Sequence, residues 1–362
     1  MKKRIALALA LVLLFAFVAA CGDDDEGDGD LRIALVTHSP TSILEDASFN
    51  AGAWEGINRF VAEHEISTDN RFFVQPNDAT DAARVDLIES VIEDRGADII
   101  VLPGFDFNFS SHRAQFLFPD TKFILLDTEP IEDWGFDPEL NSNLVAIYYA
   151  EEQAGFLAGY AAVREGFREL GFLGGRDVPA VVRFGHGFIQ GAEHAANYLG
   201  LAPGEVRIRY HYTGTFAADP AIATIAGAWY ADGTEVIFVC GGRIFDSVIP
   251  AAEAAGRFII GVDGDQSGLS ETIITSAMKD LAQSVTDMLN HILDGTFPGG
   301  QTLLYDAAGR GIGLPMATSR FNYFTQAMYD AIFAQLADGT VVVSTSLNMS
   351  DIVTTLVNVE VH

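Results

Sequence analysis

The chain has 362 residues, a formal net charge of −29 and 49% hydrophobic residues. An acidic surface of this strength repels phosphate backbones and argues against a nucleic-acid partner. The length exceeds one small core and suits two domains of ordinary size, and two cysteines are too few for a disulfide scaffold.

The N-terminus carries Lys2, Lys3 and Arg4, then an apolar run from Ile5 to Ala20, and then Cys21. A basic start, an apolar centre and small residues before a break describe a secretory signal peptide. A cysteine at the break resembles the bacterial lipobox, in which that cysteine becomes the lipidated first residue. An ordinary signal peptide that contains a cysteine is the alternative, as is a transmembrane anchor, since the apolar run is near the minimum spanning length. Residues 22–30 hold six acids and nothing apolar, which suits a solvated tether. The expectation is residues 1–20 as lipoprotein signal, 21–30 as acidic tether, and a body of about 330 residues at the extracytoplasmic face of the cell membrane. Lipidation would consume Cys21, leaving Cys240 unpaired and buried at the end of a strand.

From Arg32 the chain alternates short apolar runs with helical patterns. Strands are expected at Arg32–Thr37, Arg71–Gln75, Asp98–Leu102, Lys122–Leu126 and Leu144–Tyr149, with helices over Ala51–His64 and Ala82–Asp94. The alternation restarts with a helix at Glu151–Arg164 and a strand at Glu169–Leu173. A helix at Gly185–Leu199, a strand at Val206–His211, a helix at Asp219–Tyr230 and a strand at Glu235–Val239 follow. Then come a helix at Phe245–Ala255 and a strand at Phe258–Val262. Strands without clean alternation, separated by helices, predict parallel sheets covered on both faces. Two such units in succession predict an α/β protein of two doubly wound lobes. Beyond these come a strand (Thr272–Ala277), a helix (Lys279–Leu293), a strand (Leu303–Asp306), a helix (Asn322–Leu336) and a β-rich end. These are assigned to completing both lobes: 31–149 plus about 271–300 for the first, 150–270 plus about 301–362 for the second. Such a path crosses between lobes more than once and makes a hinge with a cleft. No internal repeat is detectable beyond the loose similarity of the halves.

Catalytic signatures are missing: there is no G-x-S-x-G elbow, H-E-x-x-H pair or P-loop. His186 and His194, eight apart, are assigned to a solvated face, and the glycines at 309, 311 and 313 to a turn. No catalytic residue, metal site or cofactor is expected. A different set stands out after the first strand, where Asp46-Ala-Ser-Phe49-Asn50 runs into a helix carrying Trp54. Loops at the carboxyl ends of parallel strands converge on a binding crevice. Phe49 there is either a hydrophobic staple or a stacking surface for a flat ligand.

Asp46–Gly56 (DASFNAGAWEG) resembles the D-x-S-F-N-x-x-x-W-x-G signature of the basic membrane protein family. Five further blocks follow in register. Glu152–Gly159 (EQAGFLAG) is similar to the family's E-x-A-x-(aromatic)-L-A-G helix. Phe172-Leu-Gly174-Gly175 through Phe188 and Gly191 is similar to its F-x-G-G…G-F-x-x-G stretch. Tyr212–Phe216 with Asp219 resembles Y-x-G-S-F-x-D, and the runs Glu235–Gly242 and Ile260–Gln266 complete the series. The similarity covers roughly Arg32 to Gly313.

The resemblance implies a type I periplasmic binding protein fold and a lipid-anchored solute receptor of an ABC importer, serving a permease and an ATPase as a monomer. The implied ligand is a purine nucleoside. The alternatives are another small solute, such as a sugar, flavin or free base, or a role as a surface interaction protein. Carried over by motif, Phe49 and Phe216 would sandwich the base, and Asp263 and Lys279 would hold the ribose. Asp127, Asn50 and the backbone at Gly241-Gly242 would complete the site. Each has an ordinary structural reading beside it: Phe216 as core, Asp127 and Asp263 as turn residues, Lys279 as a solvated side chain. The chain departs from the family in carrying Thr37-His38-Ser39-Pro40 where relatives carry an acid able to read the base edge. His38 takes that place, which changes the donor and acceptor pattern. Asp46-Ala47 likewise stands where many relatives have Asp-Lys.

Overall fold

The computed structural model describes residues 31–42, 44 and 48–362. The expected signal, tether and lipidation site, Cys21 included, and the candidate site residue Asp46 lie outside the described residues. The first lobe is built from β1 (Ile33–Val36), α1 (Phe49–Glu63), β2 (Arg71–Val74), α2 (Asp81–Glu93), β3 (Ile99–Pro103), α3 (Asn108–Leu117), β4 (Lys122–Leu126) and β5 (Leu144–Tyr149). The second begins with α4 (Glu151–Glu165), β6 (Glu169–Gly174), α5 (Pro179–Leu199) and β7 (Val206–Tyr212). It continues through α6 (Pro220–Ala231), β8 (Val236–Cys240), α7 (Phe245–Ala255), β9 (Phe258–Asp263) and β10 (Ile273–Lys279). The remaining elements are α8 (Leu281–Leu293), β11 (Thr302–Tyr305), β12 (Ile312–Gly313), α9 (Gln326–Ala337) and β13 (Val357–Val361).

One sheet runs β11-β5-β4-β3-β1-β2 and the other β12-β10-β9-β8-β6-β7-β13. Every pairing is parallel except β12 against β10. All residues of β1, β3 and β8 are buried, as expected for strands covered by helices on both faces. Leaving β13 aside, the two sheets have the same strand order, so β1 to β5 correspond to β6 to β10 and β11 to β12. The three-dimensional repeat is far clearer than the sequence repeat, because parallel strands need only apolar character, not particular side chains.

The chain passes between lobes three times: from β5 into α4, from β10 into α8, and from β11 into β12. This corrects the expected assignments at both ends of the connecting region. The strand at 273–279 belongs to the second sheet, beside β9, and the strand at 302–305 belongs to the first, beside β5. Only α8, which packs on α1, follows the expectation for about 271–300. The physical reason is adjacency. β10 follows β9 without an intervening helix and pairs with it, whereas β11 follows a helix already seated on the first lobe.

Other departures are local. Helix α3 was not expected; its polar sequence, Asn108 to Leu117, has only a weak apolar stripe. Helix α5 starts at Pro179, six residues before the expected Gly185, because proline is preorganised for the first helical turn. Helix α9 starts at Gln326 behind the Thr325 cap rather than at Asn322. The β-rich end supplies one strand, β13.

Helices α4 and α5 pack backbone against backbone. A Cβ on Gly155 would lie 2.1 Å from the Phe184 carbonyl oxygen, and one on Gly159 2.0 Å from that of Phe188. Reciprocally, a Cβ on Gly187 would lie 2.1 Å from the Glu152 oxygen, and one on Gly191 2.0 Å from that of Phe156. Two small-residue stripes spaced by four thus let the backbones touch. His186, on the same helix, is buried rather than solvated, with Nδ1 2.8 Å from the Ser346 carbonyl oxygen. His194 lies against the rings of Phe156 and Tyr160.

Candidate ligand-binding cleft

A cleft of about 810 Å³ opens between the lobes. Nine of the ten residues singled out from the sequence line it: His38, Phe49, Asn50, Asp127, Phe216, Gly241, Gly242, Asp263 and Lys279. They arrive on loops, strand ends and the first turn of α1 at the carboxyl edges of both sheets, where parallel topology concentrates them.

Lys279, the last residue of β10, is the electrostatic centre. Its side chain is 1% exposed, with Nζ 2.6 Å from Asp127 Oδ2, 3.0 Å from Glu151 Oε1 and 4.0 Å from Asp263 Oδ1. The ammonium also lies 4.9, 5.2 and 5.3 Å from the ring centroids of Phe49, Tyr149 and Phe184. A cation in this cage is held by charge and by the negative faces of the rings. Burial alone would lower the Lys279 pKa, but Asp127, Glu151 and Asp263 more than offset it and raise it. Burial pushes Asp127 up to about 7, with Glu151 and Asp263 adding to the rise and Lys279 opposing it. Lys279 is therefore a buried ion-pair partner, and the solvated reading fails.

Asp127 and Asp263 hold matching positions in the two lobes, at the ends of β4 and β9, both with φ of 64°. Left-handed backbone at a non-glycine residue is uncommon and tends to mark sites where a side chain must be aimed. Asp127 Oδ1 and Asn50 Oδ1 are buried and have no hydrogen-bond partner among the described residues. Leaving such acceptors unpaired costs free energy. Each oxygen can accept from a hydroxyl or an N–H donor.

Phe49 begins α1 behind the Ser48 cap, half-buried and under Lys279. Phe216 comes from the loop after β7 and rests on glycines. A Cβ at Gly175 would lie 2.4 Å from its ring, and one at Gly241 2.9 Å. A Cβ at Gly242 would lie 2.6 Å from its carbonyl oxygen and 2.8 Å from its own Cβ. Gly241 and Gly242 thus seat Phe216 as well as lining the cleft. His38 is placed by Arg84, which donates from Nε to the His38 carbonyl at 3.1 Å and is itself fixed by Asp81 and the Ala79 carbonyl. Burial pulls the His38 pKa down; Arg84 and Arg176 add to this while Asp106 opposes it. The neutral imidazole can both donate and accept.

Sequence reasoning missed Glu151, Tyr149, Gly175, Asp106 and Arg176. Glu151 adjoins the Glu152–Gly159 motif, and an acid pair directly after a buried strand was the available signal. Asp106, in the 3-10 turn Phe105–Phe107, and Arg176, in the loop after β6, belong to stretches with no distinctive pattern. They meet in a bidentate pair of 2.8 and 3.0 Å across the cleft. Trp54, part of the first motif, stacks under Arg71 and against Phe73, away from the cleft.

Two doubly wound lobes, three crossings and a polar-and-aromatic cleft define the type I periplasmic binding protein architecture. Solved structures agree. A solute-binding protein of an ABC transporter system from Aeropyrum pernix superposes with a TM-score of 0.75 at 18% identity, over 89% of this chain and 95% of that one. A counterpart from Conexibacter woesei gives 0.67 at 23%, over 87% and 99%. The chain belongs to the Bmp family of PnrA-like ABC transporter substrate-binding proteins, whose model matches residues 32–337. Relatives include the ABC transporter nucleoside-binding protein BmpA of Lactococcus lactis, 28% identical over 80% of this chain and 83% of that protein. Basic membrane protein A1 of Borrelia garinii is 31% identical over 72% and 73%. Membership makes this chain the solute-binding component of an ABC transporter, working with permease and ATPase subunits, and not an enzyme.

Proposed function

We propose that the cleft captures a neutral nucleoside, a purine nucleoside in the first instance, and delivers it from a lipid-anchored position at the outer face of the membrane. The observation that carries this reading is the pairing of Lys279 with Asp127 and Asp263 against the Phe49 ring. It offers acceptors for vicinal hydroxyls directly beside an aromatic face. The base would lie between Phe49 and Phe216, with each stack contributing about 1–3 kcal/mol by analogy with base recognition elsewhere. Asn50 Oδ1 and Asp127 Oδ1 would accept ligand donors that now have no counterpart. The name of the Lactococcus relative supports the ligand class.

Charge supports neutrality. The four described cations that line the cleft are all paired: Arg84 with Asp81, Arg176 with Asp106, Arg243 with Asp246 and Lys279 with Asp127. A phosphate would have to compete with a carboxylate for any of them. Titration calorimetry with a panel of nucleosides, free bases, sugars and nucleoside monophosphates tests the proposal. Micromolar or tighter binding of a nucleoside, at least a hundredfold above its monophosphate, is expected. Tighter binding of a sugar or of the monophosphate would overturn it.

The anchor rests on Cys21 and the acidic run after it. Metabolic labelling with a fatty acid should mark the wild type and not Cys21→Ser. Equal labelling of both would remove the anchor and leave the cleft reading intact. We take the receptor to act as a monomer, which size-exclusion with light scattering checks directly.

A further inference from the structure

Two ion pairs among the described residues join the lobes: Lys279 with Asp127, and Arg176 with Asp106. The first lies at the hinge, because Lys279 is the residue from which the chain crosses back. The second does not. Asp106 follows β3, two strands in from β5, and Arg176 follows β6, three strands in from β10. At about 4.8 Å per strand, the pair sits roughly 10 Å or more from the crossing edge. Opening about the hinge separates these two side chains before it disturbs the Lys279 cage.

The pair is a two-bond fork, with Arg176 Nη1 to Asp106 Oδ2 at 2.8 Å and Nη2 to Oδ1 at 3.0 Å. That geometry is stronger and more directional than a single-point contact. The same guanidinium lies 5.5 Å from the Phe216 ring centroid, and Arg176 adjoins Gly175, on which that ring rests. One arginine therefore bridges the lobes and braces the aromatic face of the second.

We infer that Arg176 and Asp106 form a clasp that holds the cleft shut over its ligand and sets Phe216 for stacking, so that the pair governs release. The ligand-release part rests on the nucleoside reading above; the effect on lobe closure does not. Both are positioning residues. Arg176 spends its fork on Asp106 and not on the ligand.

A double-variant cycle tests this with Asp106→Asn, Arg176→Gln and the two combined. Stopped-flow release of the fluorescent probe 2-aminopurine riboside is followed for each, together with small-angle scattering of the ligand-free proteins. A lost charged hydrogen-bond pair predicts release about tenfold faster in either single variant. The combined variant should be about tenfold faster as well, not a hundredfold, because the second change removes nothing further. All three should have a larger radius of gyration than the wild type. Release accelerated by Arg176→Gln alone would mean that Arg176 acts on Phe216 or on the ligand and not through Asp106, and would overturn the clasp. Multiplicative effects, or scattering and release unchanged in all variants, would do the same. If the wild type holds no nucleoside probe, the functional reading fails while scattering still decides whether the clasp exists.

Discussion

Lys279 Nζ and Asp127 Oδ2 are 2.6 Å apart although 152 residues separate them in the chain. They join the last residue of a strand in one sheet to the residue after a strand in the other. Removing the cation leaves Asp127, Glu151 and Asp263 facing one another in a buried space.

Breaking a buried pair on one side typically costs about 3–5 kcal/mol. Lys279→Met should therefore lower the melting temperature markedly in calorimetry. The loss depends on pH through the carboxyls left behind. Asp127 already has a raised folded-state pKa, about 7, and without Lys279 it rises further. A group raised in the folded state contributes stability that is full below its unfolded pKa and lost as pH rises through its folded pKa. The gap between variant and wild type should thus be wider at pH 8 than at pH 5. A gap independent of pH would contradict the cage.

Nucleoside affinity should itself respond to pH. Asp127 Oδ1 accepts from a ligand hydroxyl best when ionised, so affinity is expected to strengthen as pH rises from 6 to 8. Asp127→Asn should flatten that profile in calorimetric titrations.

Phe49→Ala should weaken nucleoside binding by about 1–3 kcal/mol, the range for one lost base stack. The chain's own melting temperature should change less, since Phe49 is only half-buried. A sugar receptor would tolerate the change, and comparison with Phe49→Tyr separates stacking from bulk.

Gly175→Ala pushes a methyl to 2.4 Å from the Phe216 ring. The ring must swing, so ligand affinity should fall at least tenfold while the fold survives. Crystals or fluorescence of a Phe216→Trp background would show the displaced ring.

Gly159→Ala puts a methyl 2.0 Å from a backbone oxygen, which no rotamer relieves. Overpacking of this kind costs about 1–3 kcal/mol, read by chemical denaturation. Gly227→Ala, where nothing lies within 4 Å, is the matched control and should be neutral or stabilising.

Much of the two-lobed plan was legible because buried parallel strands announce themselves as uninterrupted apolar runs. Lys122–Leu126, Leu144–Tyr149 and Phe245–Ala255 have the expected bounds. Cys240 is the buried last residue of β8. The cleft residues were legible mainly through motif resemblance, since a phenylalanine after a strand has no distinctive chemistry of its own. Glycine blocks read as family motifs turned out to be packing devices: Gly155, Gly159, Gly187 and Gly191 bring α4 onto α5. What stayed hidden depends on contacts between distant segments. The clasp joins residues 70 apart, and no local pattern in either loop signals the other. The placement of β10 and β11 was hidden for the same reason, because sheet membership is a property of the finished fold.

The second crossing, from β10 into α8, has a consequence for how the molecule is made. β11 closes the first sheet by pairing with β5 from more than 150 residues downstream. A chain emerging from its N-terminus has all five other strands of that sheet long before the edge strand and the covering α8 arrive. Contacts of such sequence separation make folding slow, because loop closure must precede the pairing that rewards it. Until residue 305 is available, β5 is an open edge of buried-type apolar residues, the kind of surface that recruits other chains. Neither lobe is a portable module, and a fragment ending near residue 270 would carry an exposed sheet edge rather than a smaller receptor.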